Sequence, residues 1–182
     1  NELHRSAIIE AAEDVGGRLF HEGKPSAALL VGCAVYERPT RIHVADSHTF
    51  STTRGVVQGC PMGSALFDMV QAAIMSQLAD RLARLHSPLE LHVMEYGDVP
   101  VQAVDSVVYH IALHDDIILA SRSTESLMVA RSQLAALLLD KGLTLASDKS
   151  QVISQREIPD AHLARLGAKQ VSAAMFAGVP LY

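Results

Sequence analysis

Two apolar runs, residues 106–113 and 117–120, are separated only by His114, Asp115 and Asp116. No other feature limits the possible folds of the chain as tightly. Runs this short and this close read as two strands folded back on each other, with turn-tolerant aspartates at the tip. Along the first run Val107, Tyr109, Ile111 and Leu113 share one face, and Ser106, His110, Ala112 and His114 share the other. The apolar face is expected to pack on helices and the more polar one to line a cleft.

Around this hairpin the pattern moves between helix and strand. Leu3, Ala7, Ile8, Ala11 and Val15 recur at helical spacing and predict an amphipathic helix over 2–20, its end weakened by Gly16 and Gly17. A short helix is expected over 25–36, with Pro25 in its first turn and Pro39 beyond its end. Strands over 41–44 and 49–52 flank the turn-prone Asp46 and Ser47. The stripe Leu66, Phe67, Val70, Ala73, Ile74, Leu78, Leu82 and Leu85 predicts a long helix over 63–86. A strand over 89–95 ends at the break 97–100. Ser123 or Thr124 can cap a helix running to Lys141, with Glu125 favoured in its first turn and Gly142 closing it. Residues 143–145 and 151–153 suggest a further hairpin around Ser147, Asp148 and Lys149. Strands interrupted by long helices, with hairpins rather than regular crossovers, predict an α+β fold.

The chain has 182 residues, enough for one domain or one large subdomain with its own core. Aromatic residues make up only 4%, so that core must come from Ala, Leu, Val and Ile. A net charge of −5 argues against binding a phosphate backbone over the whole surface. It leaves room for a site where clustered carboxylates hold metal ions. Cys33 and Cys60 match no zinc spacing, and reduced thiols in an intracellular protein, nuclear or cytoplasmic and not secreted, are the expectation. The apolar run 27–35 is too short to cross a bilayer, so no membrane is expected. The chain starts without Met inside a helical pattern and reads as part of a larger protein.

The chemistry gathers at two places. Adjacent carboxylates at a tight turn repel each other, and a nearby cation favours their ionised forms. Fixed oxygen ligands of this kind suit Mg²⁺ (or Mn²⁺), which keeps waters and borrows ligands from substrate phosphates. Taken alone, the pair Asp115 and Asp116 is more often a plain solvated turn, since Asp is common in turns. The second place is Arg54 to Ser64, where Gly55, Gly59, Pro61 and Gly63 allow a backbone that lies close against a ligand. Gln58 offers donor and acceptor there, and the start of the helix that follows suits a phosphate. An ordinary Gly/Pro loop before a helix is the alternative.

Together these segments resemble reverse transcriptases, most closely those of non-LTR retrotransposons and of group II introns and retrons. Gly55-Val56-Val57-Gln58-Gly59-Cys60-Pro61-Met62-Gly63-Ser64 with Leu66-Phe67 is similar to the family's motif B. Ala112-Leu113-His114-Asp115-Asp116-Ile117-Ile118-Leu119 resembles motif C, although Leu113 stands where an aromatic is usual and His114 is uncommon beside the first Asp. Lys141-Gly142-Leu143-Thr144-Leu145 and Lys149-Ser150-Gln151-Val152-Ile153 resemble motif D, and Phe176-Ala177-Gly178-Val179-Pro180 the primer-grip motif E. Residues 1–8 resemble the stretch after motif A, whose catalytic Asp is then expected before Asn1.

The resemblance implies a polymerase palm over residues 1–182: a small antiparallel sheet with a metal-binding hairpin on long helices, the fingers and thumb lying elsewhere in the parent. It implies RNA-directed DNA synthesis from an RNA template, a DNA primer and dNTPs by two-metal nucleotidyl transfer, with the fragment inactive alone. Asp115 and Asp116 take the metal ligands' places, and Lys149 that of the group beside the leaving pyrophosphate. Gln58, Gly59, Cys60, Pro61 and Ser64 take those of the nucleotide and template contacts, and Ala177, Gly178 and Val179 those of the primer grip. Two other readings stand beside this one. A metal-dependent hydrolase built on His110, His114, Asp115 and Asp116 suits Zn²⁺ or Mn²⁺ but leaves residues 58–64 without a role. A decayed element would keep the fold without the activity.

Overall fold

A computed structural model describes residues 3–22, 27–44, 48–56, 60–85 and 108–182. The expectations for Pro25, Asp46, Ser47, Gln58, Gly59 and residues 86–107 lie outside them. The chain divides into two compact units, one of Asn1–Ile74 with Leu138–Thr144 and one of Met75–Leu137 with Leu145–Tyr182. Helices and two-stranded sheets alternate through both, a mixed α and β architecture.

In the first unit, α1 (Arg5–His21) buries Ala7, Ile8, Ala11 and Ala12, the stripe expected of an amphipathic helix. Gly16 and Gly17 lie inside this helix rather than at its end. Ahead of it, His4 forms an isolated antiparallel bridge with Arg54, and the Gly55 N–H donates to the Leu3 carbonyl at 2.8 Å. Helix α2 (Ala27–Tyr36) ends on the buried Tyr36. Strands β1 (Thr40–Val44) and β2 (His48–Thr52) pair antiparallel from Thr40↔Thr52 to Val44↔His48, as the sequence predicts.

Helix α3 (Gly63–Leu85) carries Leu66, Val70, Ile74, Leu78 and Leu82 on one buried stripe, every fourth residue. Full burial of each such aliphatic side chain contributes roughly 1.5–3 kcal/mol. Helix α4 (Thr124–Asp140) starts where its cap chemistry dictates. The Ser123 Oγ accepts the Ser126 N–H at 3.2 Å and donates to Glu125 Oε2 at 3.1 Å. At the other end Gly142 takes φ +80°, with Gly142 N–H on the Leu139 carbonyl and Leu143 N–H on that of Leu138. That paired closure is the Schellman arrangement, and glycine meets its left-handed requirement without strain.

The expected hairpin of 143–145 with 151–153 does not form. Residues 143–145 have no strand pairing, and β5 (Gln151–Ile153) pairs in parallel with β6 (Lys169–Val171) across α5 (Asp160–Leu166). The Gln170 side chain on β6 explains the choice of partner. Its Oε1 accepts the Ile158 N–H at 2.9 Å and its Nε2 donates to the Arg156 carbonyl at 2.8 Å, which ties down the crossover loop. Finally β7 (Ala174–Phe176) and β8 (Val179–Leu181) form an antiparallel hairpin around Ala177 and Gly178.

Candidate active site

Strands β3 (Tyr109–Leu113) and β4 (Asp116–Ala120) pair antiparallel with Leu113 opposite Asp116. The turn is therefore two residues long, His114 and Asp115, and Asp116 opens the second strand rather than sitting in the loop. His114 has φ +51° and Asp115 does not share the positive sign. A positive φ at the first residue of a two-residue hairpin turn is a conformation that glycine adopts most readily. Holding a His there costs on the order of 1–3 kcal/mol, strain of the kind that gathers at functional turns.

The two faces of the hairpin are covered the opposite way from expectation. Tyr109, Ile111 and Leu113 are 69%, 59% and 47% exposed, whereas His110 and Ala112 are partly covered. The pleat decides which residues share a face, but only the rest of the fold decides which face is covered. Asp116, opposite Leu113, belongs to the exposed apolar face, and both Asp115 and Asp116 reach solvent.

Asp116 also has a specific partner. Its Oδ2 accepts the backbone N–H of Ala177 at 3.1 Å, across 61 residues of sequence. Ala177 and Gly178 have φ +48° and +81°, so both residues of that turn are left-handed, the type I′ pattern. The second unit thus brings together Asp115, Asp116, Ala177 and Gly178 of the sequence-predicted residues, with Val179 opening β8. Lys149 is exposed in the turn before β5, and among the described residues it pairs with neither aspartate.

In the first unit, Cys60, Pro61 and Ser64 surround the start of α3. The Gly63 N–H donates to the Cys60 carbonyl at 2.9 Å. The Cys60 thiol lies below its ordinary pKa because the Tyr36 hydroxyl and the N–H groups of Met62 and Gly63 favour the thiolate. Tyr36 in turn stacks under the buried Arg5 guanidinium, 5.3 Å from its ring centroid. Sequence reasoning missed Arg5 and Tyr36, which carry no motif and lie 55 and 24 residues from Cys60 (60 less 5 and 60 less 36).

Exposed carboxylates at a tight turn have the hard oxygen donors that Mg²⁺ takes, so Asp115 and Asp116 fit part of a divalent-ion site. Among the described residues no group of three or more His, Cys, Asp or Glu is gathered for a metal ion. His110 pairs with Leu119, well inside the ladder, and its buried Nδ1 has no hydrogen-bond partner. Nothing draws it toward the aspartates as a zinc site requires. Comparison with known families gives a match to the family described as reverse transcriptase (RNA-dependent DNA polymerase) over residues 20–180. No curated protein and no solved structure matches the chain.

Proposed function

The chain belongs to the reverse transcriptase family, and from that premise we propose that it is the palm of a retrotransposon-type RNA-directed DNA polymerase with Asp115 and Asp116 as its metal ligands. Fingers and thumb of the parent chain complete the enzyme in this reading, which works inside the cell on an RNA template, a DNA primer and dNTPs. One observation carries it: Asp115 and Asp116 stand side by side, exposed, at a strained two-residue turn in a chain of this family.

Bound Mg²⁺ supplies charge neutralisation to the attacking and leaving oxygens of nucleotidyl transfer. Asp115 is the more open ligand, and Asp116 offers the oxygen that Ala177 does not occupy. Two-ion chemistry draws carboxylates from more than one strand, so a further carboxylate comes from outside the described residues. Gln58, Gly59, Cys60, Pro61 and Ser64 form the nucleotide and template contact in this proposal. Pro61 and Ser64 are exposed at the start of α3, as that role requires. Lys149, exposed and unpaired with either aspartate, is free to give a proton to the leaving pyrophosphate. Ala177, Gly178 and Val179 lie along the primer backbone.

Primer extension by the full-length parent tests this. Asp115→Ala should lower synthesis by roughly 10²–10³-fold or more, since the transition-state charge loses its ligand. Gln58→Ala should raise the KM for dNTP. Unchanged extension by Asp115→Ala would remove the metal assignment. A parent that folds and extends nothing would leave the family and discard the activity.

A further inference from the structure

Resting on that reading, we infer that Asp116 is a positioning residue for the primer, because its carboxylate holds the tip of the β7–β8 hairpin through the Ala177 N–H. The turn that presents the metal ligands and the turn that holds the primer then move as one piece.

The geometry of the second hairpin supports this. A two-residue hairpin closes its ladder on the residues that flank the turn, here Phe176 and Val179. The N–H of Ala177 is left outside that ladder and is free for an acceptor. It meets a carboxylate oxygen at 3.1 Å, and an ionised acceptor makes the stronger class of hydrogen bond. Ala177 meanwhile holds φ +48°, a conformation that alanine adopts only when its surroundings impose it. The facing turn is strained as well, at His114 beside the carboxylates. One strained residue, Ala177, donates the contact, and the other, His114, lies two residues before its acceptor.

That contact separates the two aspartates by task. Asp115 lies in the turn and Asp116 in the strand, on the face shared with Ile111 and Leu113. Only Asp116 reaches the second hairpin. A primer seated on residues 177–179 would thus be placed relative to the metal ligands by the side chain of one of them.

Asparagine and alanine at 116 isolate the acceptor, since both are neutral and only asparagine offers an oxygen to the Ala177 N–H. In the 182-residue chain, amide hydrogen exchange at Ala177 should be about tenfold faster for Asp116→Ala than for Asp116→Asn. In the full-length parent held in EDTA, primer–template should bind about tenfold more weakly to Asp116→Ala than to Asp116→Asn. Asp115→Ala and Asp115→Asn should bind it alike. Equal exchange at Ala177 in the two Asp116 variants would overturn the inference at the contact. Unequal exchange with equal primer binding would overturn it at the primer and leave the polymerase reading intact. Failure of the polymerase reading itself shows separately, as a parent that extends no primer.

Discussion

The Arg5 guanidinium lies 5.3 Å from the centre of the Tyr36 ring, and both side chains are buried. Its Nη1 donates to the Arg38 carbonyl at 2.6 Å and its Nη2 to Thr40 Oγ1 at 2.9 Å, while Nε has no partner. Those acceptors are neutral, so planar geometry and ring stacking hold the cation in place. Lysine has the charge but neither the fork nor the flat face. Arg5→Lys should destabilise the chain by about 1–2 kcal/mol and Arg5→Ala by about 2–4 kcal/mol. Urea unfolding measures both, and equal midpoints for wild type and Arg5→Lys would show that charge alone matters there.

The two thiols should separate on a pH axis. The Cys60 thiol is lowered first by the Tyr36 hydroxyl and then by the Met62 N–H, while burial and then Glu13 and Glu37 push Cys33 up. An acid with a depressed folded pKa stabilises the fold above its unfolded pKa of 9.0, and this contribution is lost as pH falls through the lower folded value. Alkylation followed by peptide mass should reach its half-maximal rate at lower pH for Cys60 than for Cys33. Tyr36→Phe keeps the ring but removes the donor, so it should move the Cys60 midpoint upward and leave Cys33 unchanged.

Gly167 closes α5 in a left-handed conformation at φ +49°. A Cβ built there would stand 2.6 Å from Arg131 Nη2. Gly167→Ala should therefore cost about 1–3 kcal/mol in backbone strain, with a further contribution from displacing the guanidinium. Arg131→Ala in the same chain removes the second contribution and keeps the first. A double-mutant cycle should show the two substitutions to be non-additive, and strict additivity would mean that Arg131 moves aside freely.

What could be read from the sequence was what is local. The β3–β4 hairpin, α3 and α4 with its Ser123 cap and Gly142 closure follow from periodicity and cap chemistry within a few residues. Strands β5 and β6 have three residues each, too few to show an alternation, and their parallel pairing depends on Gln170 reaching back to residues 156 and 158. Helix α5 has only seven residues, which gives little periodic signal. The Asp116–Ala177 contact left no trace in the residue pattern because its donor is a backbone N–H, common to every residue but proline. Motif order identified the family, whereas the exposed side of β3–β4 depended on packing that alternation does not encode.

The first unit joins Asn1–Ile74 to Leu138–Thr144. The His4 N–H donates to the Lys141 carbonyl at 2.9 Å, and the Lys141 ammonium meets Glu10 at 2.8 Å. A ribosome adds about 5–20 residues per second, so His4 waits on the order of ten seconds for that partner to be made. The segment around His4 then completes its backbone contacts only after Lys141 has been made, well behind the residues that directly follow it. Through that interval α1 lacks its stitch from Lys141, and a nascent chain stalled before Leu138 should remain a substrate for ribosome-associated holding factors.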